Sequence, residues 1–546
     1  MRKCSSKFEE SKKLEEGLES SRKNSSLYLI LVSLIFIFVN IGALTPLTGI
    51  PVLFYKNKYL CKKDPLSKVF NIKCSHNFIC SNKNRLGIDY IYDKKNNINL
   101  KSFITSYDIY CSQTKRIILA SSFFFGQLIG TIIYPYLISN FGIINSLSIN
   151  YFIIIISYLI MTKYNYFFIG LIFYNLASLS FQISMIGFKQ YIVEMSEPSK
   201  RSIYLLFNLL SQIFSGFFAV LISYLTLDYR YLLFYSSIIC IIGLTFVKLF
   251  MVESIRILFI QEKIDKLMEN LEYISKINNS KEYFDEWKNY NKNIFYRDYE
   301  INNNESLKLL IDKDKEKEDV IEKYDTISLN IINYISIWKY FSQVKLIILF
   351  SFSTFYVNYS LVLAQLEIVK QNKFFLSLLE GYTCDMIGYI FGIMITNLNY
   401  TRFTCFLFLT FLLSLMFLIE FVFYFFRNQF LFIFFRIFIN SLDANFNLYN
   451  FESFPTLTRP TGVAINRIFG KLFNLWTPLL MISYERIGYF SGFFFGIILF
   501  IIGLFLGPRG TKNNKINELP IELINEFDEG KISENPNEEK EYLLKK

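Results

Sequence analysis

The sequence contains twelve apolar runs in two sets of six, and this arrangement constrains the fold more than any other feature. The first set lies at about 27–50, 117–138, 143–162, 166–190, 203–226 and 231–251, and the second at about 345–366, 374–398, 402–426, 429–450, 461–484 and 487–507. A membrane-spanning helix needs roughly 20 predominantly apolar residues. The pattern therefore predicts an all-α membrane protein with twelve transmembrane helices in two six-helix halves.

The polar segments between and around these runs give the predicted domain organisation. A tail, 1–26, precedes an N-terminal half, 27–251, which includes a polar loop at 54–116. A central loop, 252–344, contains a dense run of charge at 312–319 and separates this half from a C-terminal half, 345–507. Residues 508–546 form a second polar tail. Runs of charge of this kind are typical of solvated segments.

The composition supports the membrane assignment and excludes several function classes. Hydrophobic residues make up 52% of the 546 residues and charged residues only 19%, whereas a soluble domain carries about 25% charge. The net charge of +11 comes from Lys and Arg that are scattered around the apolar runs. Such placement is typical of membrane-flanking residues rather than of a nucleic-acid surface. We therefore expect the chain to lie in a lipid bilayer and not to bind nucleic acid.

The distribution of Lys and Arg also predicts the orientation in the membrane. The N-terminal segment carries seven of these residues, and the bias over the short loops favours two cytoplasmic termini and a cytoplasmic central loop. The Lys-rich loop 54–116 is then extracytoplasmic, which long loops tolerate. The charged N-terminus lacks an early apolar region, so the first span acts as its own targeting signal. We expect the plasma membrane as the location.

Four of the eight cysteines lie in the extracytoplasmic loop, at Cys61, Cys74, Cys80 and Cys111. A group of four in one polar loop predicts two disulfides in an oxidising compartment, with three possible connectivities. A zinc site is the competing interpretation, and the absence of any C-x-x-C pair argues against it. His76, the single histidine, lies among these cysteines and does not favour the zinc site over the two disulfides.

The sequence offers no catalytic constellation. A Gly-rich phosphate loop, a Gly-x-Ser-x-Gly motif and a second His are all missing from it. We therefore expect no enzyme activity, no cofactor and no metal, and the same observation argues against a multi-span transferase.

Several stretches resemble the organic cation and organic anion transporter branch of the major facilitator superfamily. Four motifs carry the resemblance: Tyr191-Ile-Val-Glu194-Met-Ser-Glu-Pro-Ser-Lys200-Arg201 after span 4, Asp228-Tyr229-Arg230 between spans 5 and 6, Val252-Glu253-Ser254-Ile255-Arg256-Ile257-Leu258 after span 6, and the segment from Phe446 to Arg459, which contains Glu452, Pro455 and Thr456. Their order and spacing, together with the cysteine loop and a helix at 264–278, match the family over most of residues 27–507.

The resemblance implies the major facilitator fold and a transporter that moves a small organic ion by alternating access. A coupling ion, H⁺ or an exchanged anion, and a monomeric state are also implied. The loop after span 2 departs from the family pattern Gly-x-Leu-Ser-Asp-Arg-x-Gly-Arg-Arg, because here it reads Pro135-Tyr-Leu-Ile-Ser139-Asn140-Phe-Gly142-Ile-Ile144. The missing charges indicate either a shifted balance between inward and outward states or a member that does not transport.

Charged residues inside the spans are the best guide to the substrate, since each costs about 2.5–3.5 kcal/mol to insert. They are Lys189, Lys248, Asp385, Glu420, Arg436, Asp443, Arg467 and Lys471. Anion-carrying family members have Arg at the position of Lys471, whereas cation carriers tend to have Asp. Lys471 and Arg436 therefore predict a positive pocket that favours a carboxylate or sulfate. Asp385 is predicted either to contact the substrate or to form a structural pair with Arg436 or Lys471. The alternative for Lys471 is a pair with Asp385 or Asp443, which leaves the pocket neutral.

Aromatic and amide residues complete the predicted binding site. Tyr356, Asn358 and Tyr359 in span 7 resemble the family's Phe-Ala-Tyr-Tyr, which implies that they stack on an organic ion. Core or lipid packing is the favoured interpretation for each of these residues taken singly, because the chain has 60 Phe and 38 Tyr. Gln212 in span 5 is a candidate to line the N-terminal half of the cavity or to bond between helices. Asn40, Gln127 and Asn208 are further candidates for the cavity or for bonds between helices.

The resemblance also implies a charged gate at the cytoplasmic ends of the helices. Its predicted members are Glu194, Arg201, Glu253, Arg256, Glu452 and Arg459. Networks of this kind hold one end of a cavity shut and break in each transport cycle.

Two alternative functions remain open at this point. One is a sugar or other neutral-solute porter of the same superfamily. The other, from a different class, is a membrane receptor or sensor that binds a ligand on this scaffold without moving it.

Overall fold

The computed structural model describes residues 13–57, 59–62, 70–74, 76–81, 90–92, 100–197, 200–261, 263–290, 341–370, 374–397, 401–423, 429–454, 459–475 and 485–506. All of the predicted tail 508–546, residues 1–12 of the first tail and residues 291–340 of the predicted central loop lie outside the described residues. The described residues fall into two compact units, of which the smaller combines 13–28 with 258–290 and the larger holds the rest.

Most described residues as far as 250 are helical. The elements are α1 (13–20), α2 (Leu27–Thr48), α3 (Ile50–Leu53), β1 (Tyr59–Lys62), β2 (Phe70–Lys73), α4 (His76–Ser81), β3 (Tyr90–Tyr92), α5 (Phe103–Ser106), α6 (Gln113–Phe141), α7 (Ile143–Lys163), α8 (Phe167–Met195), α9 (Arg201–Thr226) and α10 (Tyr229–Phe250). The long members α2 and α6 to α10 form the N-terminal half.

The described residues after 250 form three shorter helices and six long ones. They are α11 (Ile255–Ile260), α12 (Ile264–Ile277), α13 (281–290), α14 (Phe341–Lys370), α15 (Phe374–Thr396), α16 (Arg402–Val422), α17 (Gln429–Glu452), α18 (Arg459–Asn474) and α19 (Glu485–Leu506). Helices α14 to α19 form the C-terminal half. The prediction of twelve long helices in two sets of six is confirmed.

Ten of the long helices are long and apolar enough to cross a membrane by length and composition. In lipid a helix is stable because it satisfies its backbone hydrogen bonds internally. The two exceptions are α17 and the 16 described residues of α18. These helices carry the charges Arg436, Asp443, Arg467 and Lys471, so they are the places where the apolar pattern is interrupted.

The cysteine-bearing segment between α3 and α6 contains a small antiparallel sheet with strand order β2-β1-β3. Strand β1 pairs Leu60 with Lys73 of β2 and with Ile91 of β3. The structure joins Cys61 to Cys74 and Cys80 to Cys111. Of the three connectivities open to the sequence, the structure therefore has the one that links neighbours along the chain.

The two halves contact each other at both ends of the bundle. At the end that carries the cysteine segment, called the loop end below, the Tyr382 hydroxyl donates to the Thr48 carbonyl at 2.6 Å, and the Tyr55 and Phe374 rings lie 4.5 Å apart. At the opposite end the Ser202 hydroxyl donates to Asn397 Oδ1 at 2.9 Å. The charged residues of the central region lie between these two sets of contacts.

The smaller unit shows that the N-terminal segment is not simply a polar tail. Asn278, between α12 and α13, donates to the Ser21 carbonyl at 3.0 Å and accepts the Tyr28 N–H at 2.9 Å. A Cβ atom at Gly17 would lie 2.5 Å from the Trp287 ring, so that only glycine fits there. Residues 13–28 are therefore packed against the helices that follow the N-terminal half in sequence.

Candidate functional site

A bidentate ion pair lies inside the C-terminal half. Arg436 on α17 donates from Nε to Asp385 Oδ1 at 2.9 Å and from Nη2 to Asp385 Oδ2 at 2.5 Å. Asn440, one turn further along α17, donates to the same Oδ1 at 2.7 Å. Both charged residues are buried, at 8% and 4% exposure. Asp385 and Arg436 therefore neutralise each other, which was one of the alternatives that the sequence left open.

A second group of charges lies further along α17 and joins the two halves. Lys189 on α8 donates to Asn447 Oδ1 at 2.8 Å, and Arg467 on α18 donates to the same oxygen from Nη2 at 3.1 Å. Asn447 in turn donates to Asp443 Oδ1 at 2.8 Å. One neutral amide oxygen thus accepts from two cations, one from each half of the protein.

Lys471 on α18 also belongs to this group, and its hydrogen-bond partner lies on α14. Its ammonium donates to Asn358 Oδ1 on α14 at 3.1 Å, and it interacts electrostatically with Arg467, Asp443 and Lys189. Lys471 and Asn358, both predicted from the sequence as site residues, are therefore in direct contact. We call Lys189, Arg467, Lys471 and Asp443 the cation cluster.

The cation cluster contains three positive groups and a single carboxylate, which leaves a formal charge of +2 when all four are ionised. The sequence predicted a positive pocket made by Lys471 and Arg436. The structure places positive charge at Lys471 but supplies the rest from Lys189 and Arg467, because Arg436 is bound to Asp385. Burial of uncompensated charge is costly, and the cost falls when an anion binds beside it.

A polar chain connects the cation cluster to the N-terminal half. The Tyr389 hydroxyl on α15 lies 3.3 Å from Asp443 Oδ2 and 3.4 Å from Gln212 Oε1 on α9. Its one proton can be donated to either oxygen. Gln212, a predicted site residue, therefore reaches the cation cluster through Tyr389, which the sequence analysis did not select.

The structure does not bring Tyr356 and Tyr359 to the cation cluster. The Tyr359 hydroxyl donates to the Gly488 carbonyl on α19 at 2.8 Å, and the Tyr356 ring lies 5.8 Å from that of Phe417 on α16. Both side chains are about 1% exposed. They face the outer helices of the C-terminal half, which favours the packing interpretation for both tyrosines.

Glu194 lies at the end of α8 and is fully buried. Its carboxylate accepts from Gln190 Nε2 and from the Ser254 hydroxyl, both at 2.5 Å. Arg459 and Arg256 stabilise the carboxylate electrostatically. Three of the predicted gate residues are therefore grouped at the opposite end of the bundle, with Arg459 provided by the C-terminal half.

Glu253 has a different partner from the one that the sequence suggests. Its carboxylate accepts the N–H groups of Ile143 and Ile144 at 2.8 and 3.1 Å and so caps α7. Burial raises the pKa of Glu253, and these hydrogen bonds oppose the shift. Gly142 precedes α7 with φ 79°, and a Cβ atom there would lie 2.5 Å from Glu253 Oε2. The Glu253 carboxylate thus stabilises the N-terminus of α7, next to the loop in which the charged residues of the family motif are missing.

Glu452 lies within electrostatic range of two other predicted gate residues, Arg201 and Arg459, and of Arg402. Glu452 pairs with Arg402 at 2.7 Å, and Arg459 donates from Nε to the carbonyls of Phe451 and Phe454 at 2.9 and 3.2 Å. Arg201 donates to the Ser196 carbonyl at 3.4 Å. The sequence placed Glu452 in the gate without its partner, because Arg402 lies 50 residues away.

Lys189, Asp443 and Arg467, which the sequence offers only as charged residues inside the spans, belong to this site, and so do three residues that the sequence does not predict: Tyr389, Asn440 and Asn447. A usable signal exists in α17, where Asn440, Asp443 and Asn447 follow the i, i+3, i+7 spacing of one helix face. Of the other amide candidates, Asn40 donates to Ser211 at 3.0 Å within the N-terminal half. Over the described residues, no group of three or more His, Cys, Asp and Glu could hold a metal ion.

Comparison with known proteins identifies the family. The profile described as Major Facilitator Superfamily matches residues 107–478. A search among curated protein sequences finds no match.

Solved structures resemble this chain at the level of the fold. A structure of the proton:xylose symporter XylE bound to 6-bromo-6-deoxy-D-glucose has a TM-score of 0.54 and 13% identity, and the match covers 88% of this chain and 95% of that one. A double tryptophan mutant of XylE gives 0.58 and 13%, with 90% and 98% covered. XylE from E. coli in a partially occluded inward-open conformation gives 0.51 and 12%, with 88% and 98% covered. Because the profile of that superfamily spans more than half of the chain, this protein belongs to the major facilitator superfamily.

Proposed function

We propose that this protein is an alternating-access transporter of a small organic anion and that it belongs to the organic cation and organic anion branch of the superfamily. The cation cluster is the observation that carries the proposal. Lys189, Arg467 and Lys471 are 4–9% exposed and share one carboxylate, Asp443. A carboxylate or sulfate that binds there offsets the excess positive charge through charge-assisted hydrogen bonds.

The position of the cluster suits a substrate that both halves must hold. Lys189 comes from the N-terminal half, whereas Arg467 and Lys471 come from the C-terminal half. An anion between them is in contact with both halves at once, so its binding favours a state in which the halves are closed around it. In superfamilies of this type, the two repeats rock around a site near the midplane.

The contacts at the two ends of the bundle are the natural gates of such a cycle. The Tyr382–Thr48 bond closes the loop end. The group around Glu194, with Ser254 and Arg459, closes the opposite end. We propose that these contacts separate in alternation, and that Glu253 fixes the start of α7 while they do so.

Flux measurements in proteoliposomes test the proposal directly. Full-length protein is reconstituted and supplied with labelled benzoate, succinate, tetraethylammonium and D-xylose. We expect saturable uptake of at least one of the two anions, and a loss of about tenfold or more in Lys471→Asp, because a charge-assisted contact becomes a like-charge repulsion. Lys248→Asp is the matched control, since Lys248 is exposed and bonds Asn145 at the end of a span.

Three outcomes would contradict the proposal in different ways. Anion flux that is unchanged in Lys471→Asp removes the cation cluster from the substrate path. Uptake of D-xylose alone favours the neutral-solute porter, for which Gln212, Tyr389 and Asn447 offer uncharged hydrogen-bonding groups. Binding of an anion without any flux favours the receptor or sensor.

We further propose a monomer in the plasma membrane with both termini in the cytoplasm. The excess of Lys and Arg in the N-terminal segment supports this orientation. Residues 13–28 and 258–290 form one compact unit, which requires the N-terminal segment and this part of the central loop to lie on the same side of the membrane. Labelling of single cysteines introduced at Lys23 and Lys281 in intact cells would place both on the same face.

A further inference from the structure

The amide of Asn447 on α17 has different partners at its two ends. Its oxygen accepts from Lys189 Nζ at 2.8 Å and from Arg467 Nη2 at 3.1 Å. Its nitrogen donates to the main-chain carbonyl of Asp443 and to Asp443 Oδ1, both at 2.8 Å. The side chain is 2% exposed, so these partners fix its orientation. The amide therefore lies between a carboxylate on one side and two cations on the other.

The amide oxygen is the direct acceptor of both cations. Among the described residues, neither Lys189 nor Arg467 forms an ion pair with a carboxylate, and Asp443 Oδ1 accepts from the Asn447 nitrogen instead. A carboxylate that accepts from one end of an amide polarises it, which makes the oxygen at the other end a stronger acceptor. The negative charge of Asp443 is thus transmitted to the cations through a neutral side chain.

An oxygen that accepts from two converging cationic donors is also what an anionic substrate would supply. One oxygen of a carboxylate or sulfate accepts from an ammonium and a guanidinium at about 2.7–2.9 Å. Because both donors point at Asn447 Oδ1, the substrate oxygen and the amide oxygen compete for the same place. Hydrogen bonds to an ionised acceptor are roughly twice as strong as those to a neutral one. An anion therefore displaces the amide from the two cations.

The shared oxygen also links the two halves of the protein. Lys189 lies on α8 of the N-terminal half, and Arg467 lies on α18 of the C-terminal half. When the halves close on each other, two buried cations approach, and their repulsion is large in a low dielectric unless an acceptor lies between them. A bound anion supplies this acceptor, and Asn447 supplies it when no anion is bound.

We propose that the Asn447 amide oxygen is an internal substitute for the anionic oxygen of the substrate. It holds Lys189 and Arg467 together when no anion is bound, and it thereby allows the halves to change between their two open states unloaded. Because the substrate must displace it, the amide also lowers the apparent affinity for the anion. The inference rests on the proposed function, since it requires an anionic substrate.

Efflux with and without an anion in the outer buffer tests the unloaded step. Proteoliposomes are loaded with labelled benzoate, or with succinate if benzoate is not carried, and diluted into buffer with or without the same unlabelled anion. We expect wild type to release label into both buffers, because it returns unloaded. Asn447→Leu should release label into anion-free buffer at least about tenfold more slowly while exchange continues, because its cations then depend on the substrate for an acceptor.

Equilibrium binding gives a second readout, which does not depend on flux. Purified Asn447→Leu lacks the internal competitor and should bind labelled benzoate about tenfold more tightly than wild type, since a hydrogen bond to a charged group is worth at least about a factor of ten in affinity. A residue that only positioned the two cations would have the opposite effect, because its loss would weaken the binding of the anion.

Two further variants complete the test. Asn445→Leu is the matched control, because Asn445 lies on the same helix, is 1% exposed and has no hydrogen-bond partner at either end of its amide among the described residues. It should show wild-type affinity and wild-type release into both buffers. If Asn447→Leu does not fold, Asn447→Asp keeps the acceptor and gives it a charge. This variant should bind benzoate at least about tenfold more weakly and still release label into anion-free buffer.

The remaining outcomes distinguish the inference from the proposed function. Absence of transport of both anions by wild type overturns the proposed function. Transport by wild type that requires an anion in the outer buffer overturns the inference alone, because the protein then does not return unloaded. Folded Asn447→Leu that binds benzoate no more tightly than wild type, or that releases label equally fast into both buffers, also overturns the inference, as does Asn447→Asp with wild-type affinity.

Discussion

Different interactions stabilise the interiors of the two six-helix halves. In the N-terminal half, neutral groups predominate: Asn40 donates to Ser211, and the Tyr158 hydroxyl donates to the Ala43 carbonyl at 2.7 Å. In the C-terminal half, Asp385 and Arg436 form a buried ion pair, and Asp443, Arg467 and Lys471 lie nearby. Lys189 is the cation that the N-terminal half contributes to the centre.

Because of this difference, we expect the two halves to respond differently to the loss of one interaction. Neutral hydrogen bonds between helices are worth on the order of 1 kcal/mol each in a membrane, so the interior of the N-terminal half tolerates the loss of one. Charged groups in low dielectric are much more sensitive to the loss of a partner. At the centre of the described bundle, the C-terminal half therefore contributes most of the buried charge, and the N-terminal half contributes neutral groups and Lys189.

The largest expected effect follows from removing one member of the buried ion pair. Arg436→Gln leaves the Asp385 carboxylate buried without its cation and should lower the free energy of unfolding by about 3–5 kcal/mol. The double variant Asp385→Asn with Arg436→Gln removes both charges and should recover most of that loss. Asn40→Ala is the counterpart in the N-terminal half and should cost about 1 kcal/mol.

Thermal unfolding of the purified variants in detergent measures these changes. The contrast between the halves fails if Asn40→Ala and Arg436→Gln lower the melting temperature equally. It also fails if the double variant is no more stable than the single one, because the pair would then contribute through packing rather than charge.

The single cation of the N-terminal half gives the next prediction. Lys189→Gln removes a charge-assisted contact worth about 1.5–3 kcal/mol, which corresponds to a loss of about 10–100-fold in affinity for a bound anion. Lys471→Gln in the C-terminal half should have an effect of the same size. Equilibrium binding of the transported anion to both variants measures the ratio.

Unequal effects of these two variants would sharpen the comparison. An anion held by both halves loses similar affinity in Lys189→Gln and Lys471→Gln. Retention of wild-type affinity in Lys189→Gln would contradict this arrangement, because the substrate would then be held by the C-terminal half alone.

A smaller effect is expected at the start of α7 in the N-terminal half. Gly142→Ala forces a side chain into a conformation with φ 79° and places its Cβ 2.5 Å from Glu253 Oε2. The strain should cost about 1–3 kcal/mol of stability. Gly488→Ala is the matched control in the C-terminal half, since a Cβ atom there meets Leu363 at an ordinary 3.4 Å. Equal melting temperatures for the two variants would contradict a special role for Gly142.

The helices could be predicted from the sequence because each long apolar run has one plausible structure in a membrane. The predicted run at 143–162 corresponds to α7 at Ile143–Lys163, and the run at 374–398 to α15 at Phe374–Thr396. The packing of the N-terminal segment could not be predicted, because it depends on contacts such as that of Gly17 with Trp287, 270 residues away.

The sequence predicts several residues of the candidate site, but it does not predict which of these residues pair with each other. Lys471, Arg436 and Asp385 stand out because charges are rare in spans, but periodicity does not show which cation meets which carboxylate. Asn447 joins Lys189 to Arg467 as a neutral residue, and neutral residues carry little signal in an Asn-rich chain. Tyr356 and Tyr359 were selected by position in a chain where Phe and Tyr are abundant, so the aromatic pattern could not distinguish a binding face from a packing face.

The smallest effects are expected for substitutions of Tyr356 and Tyr359. They test whether uncharged groups stabilise the outer face of the C-terminal half, as they do the interior of the N-terminal half. The Tyr359 hydroxyl bonds the Gly488 carbonyl and lies 2.6 Å from the Ser491 hydroxyl, so Tyr359→Phe should lose about 1 kcal/mol of stability. The Tyr356 hydroxyl is buried with no hydrogen-bond partner in the described residues. Tyr356→Phe should therefore be neutral, or stabilising by up to about 1 kcal/mol, because it removes a polar group that is desolvated without compensation.

Melting temperatures measure both changes, and anion affinity should stay at the wild-type value in each variant. A loss of anion affinity in Tyr356→Phe would show that this side chain reaches the substrate, and the division between a charged centre and a neutral outer face would then not hold for α14.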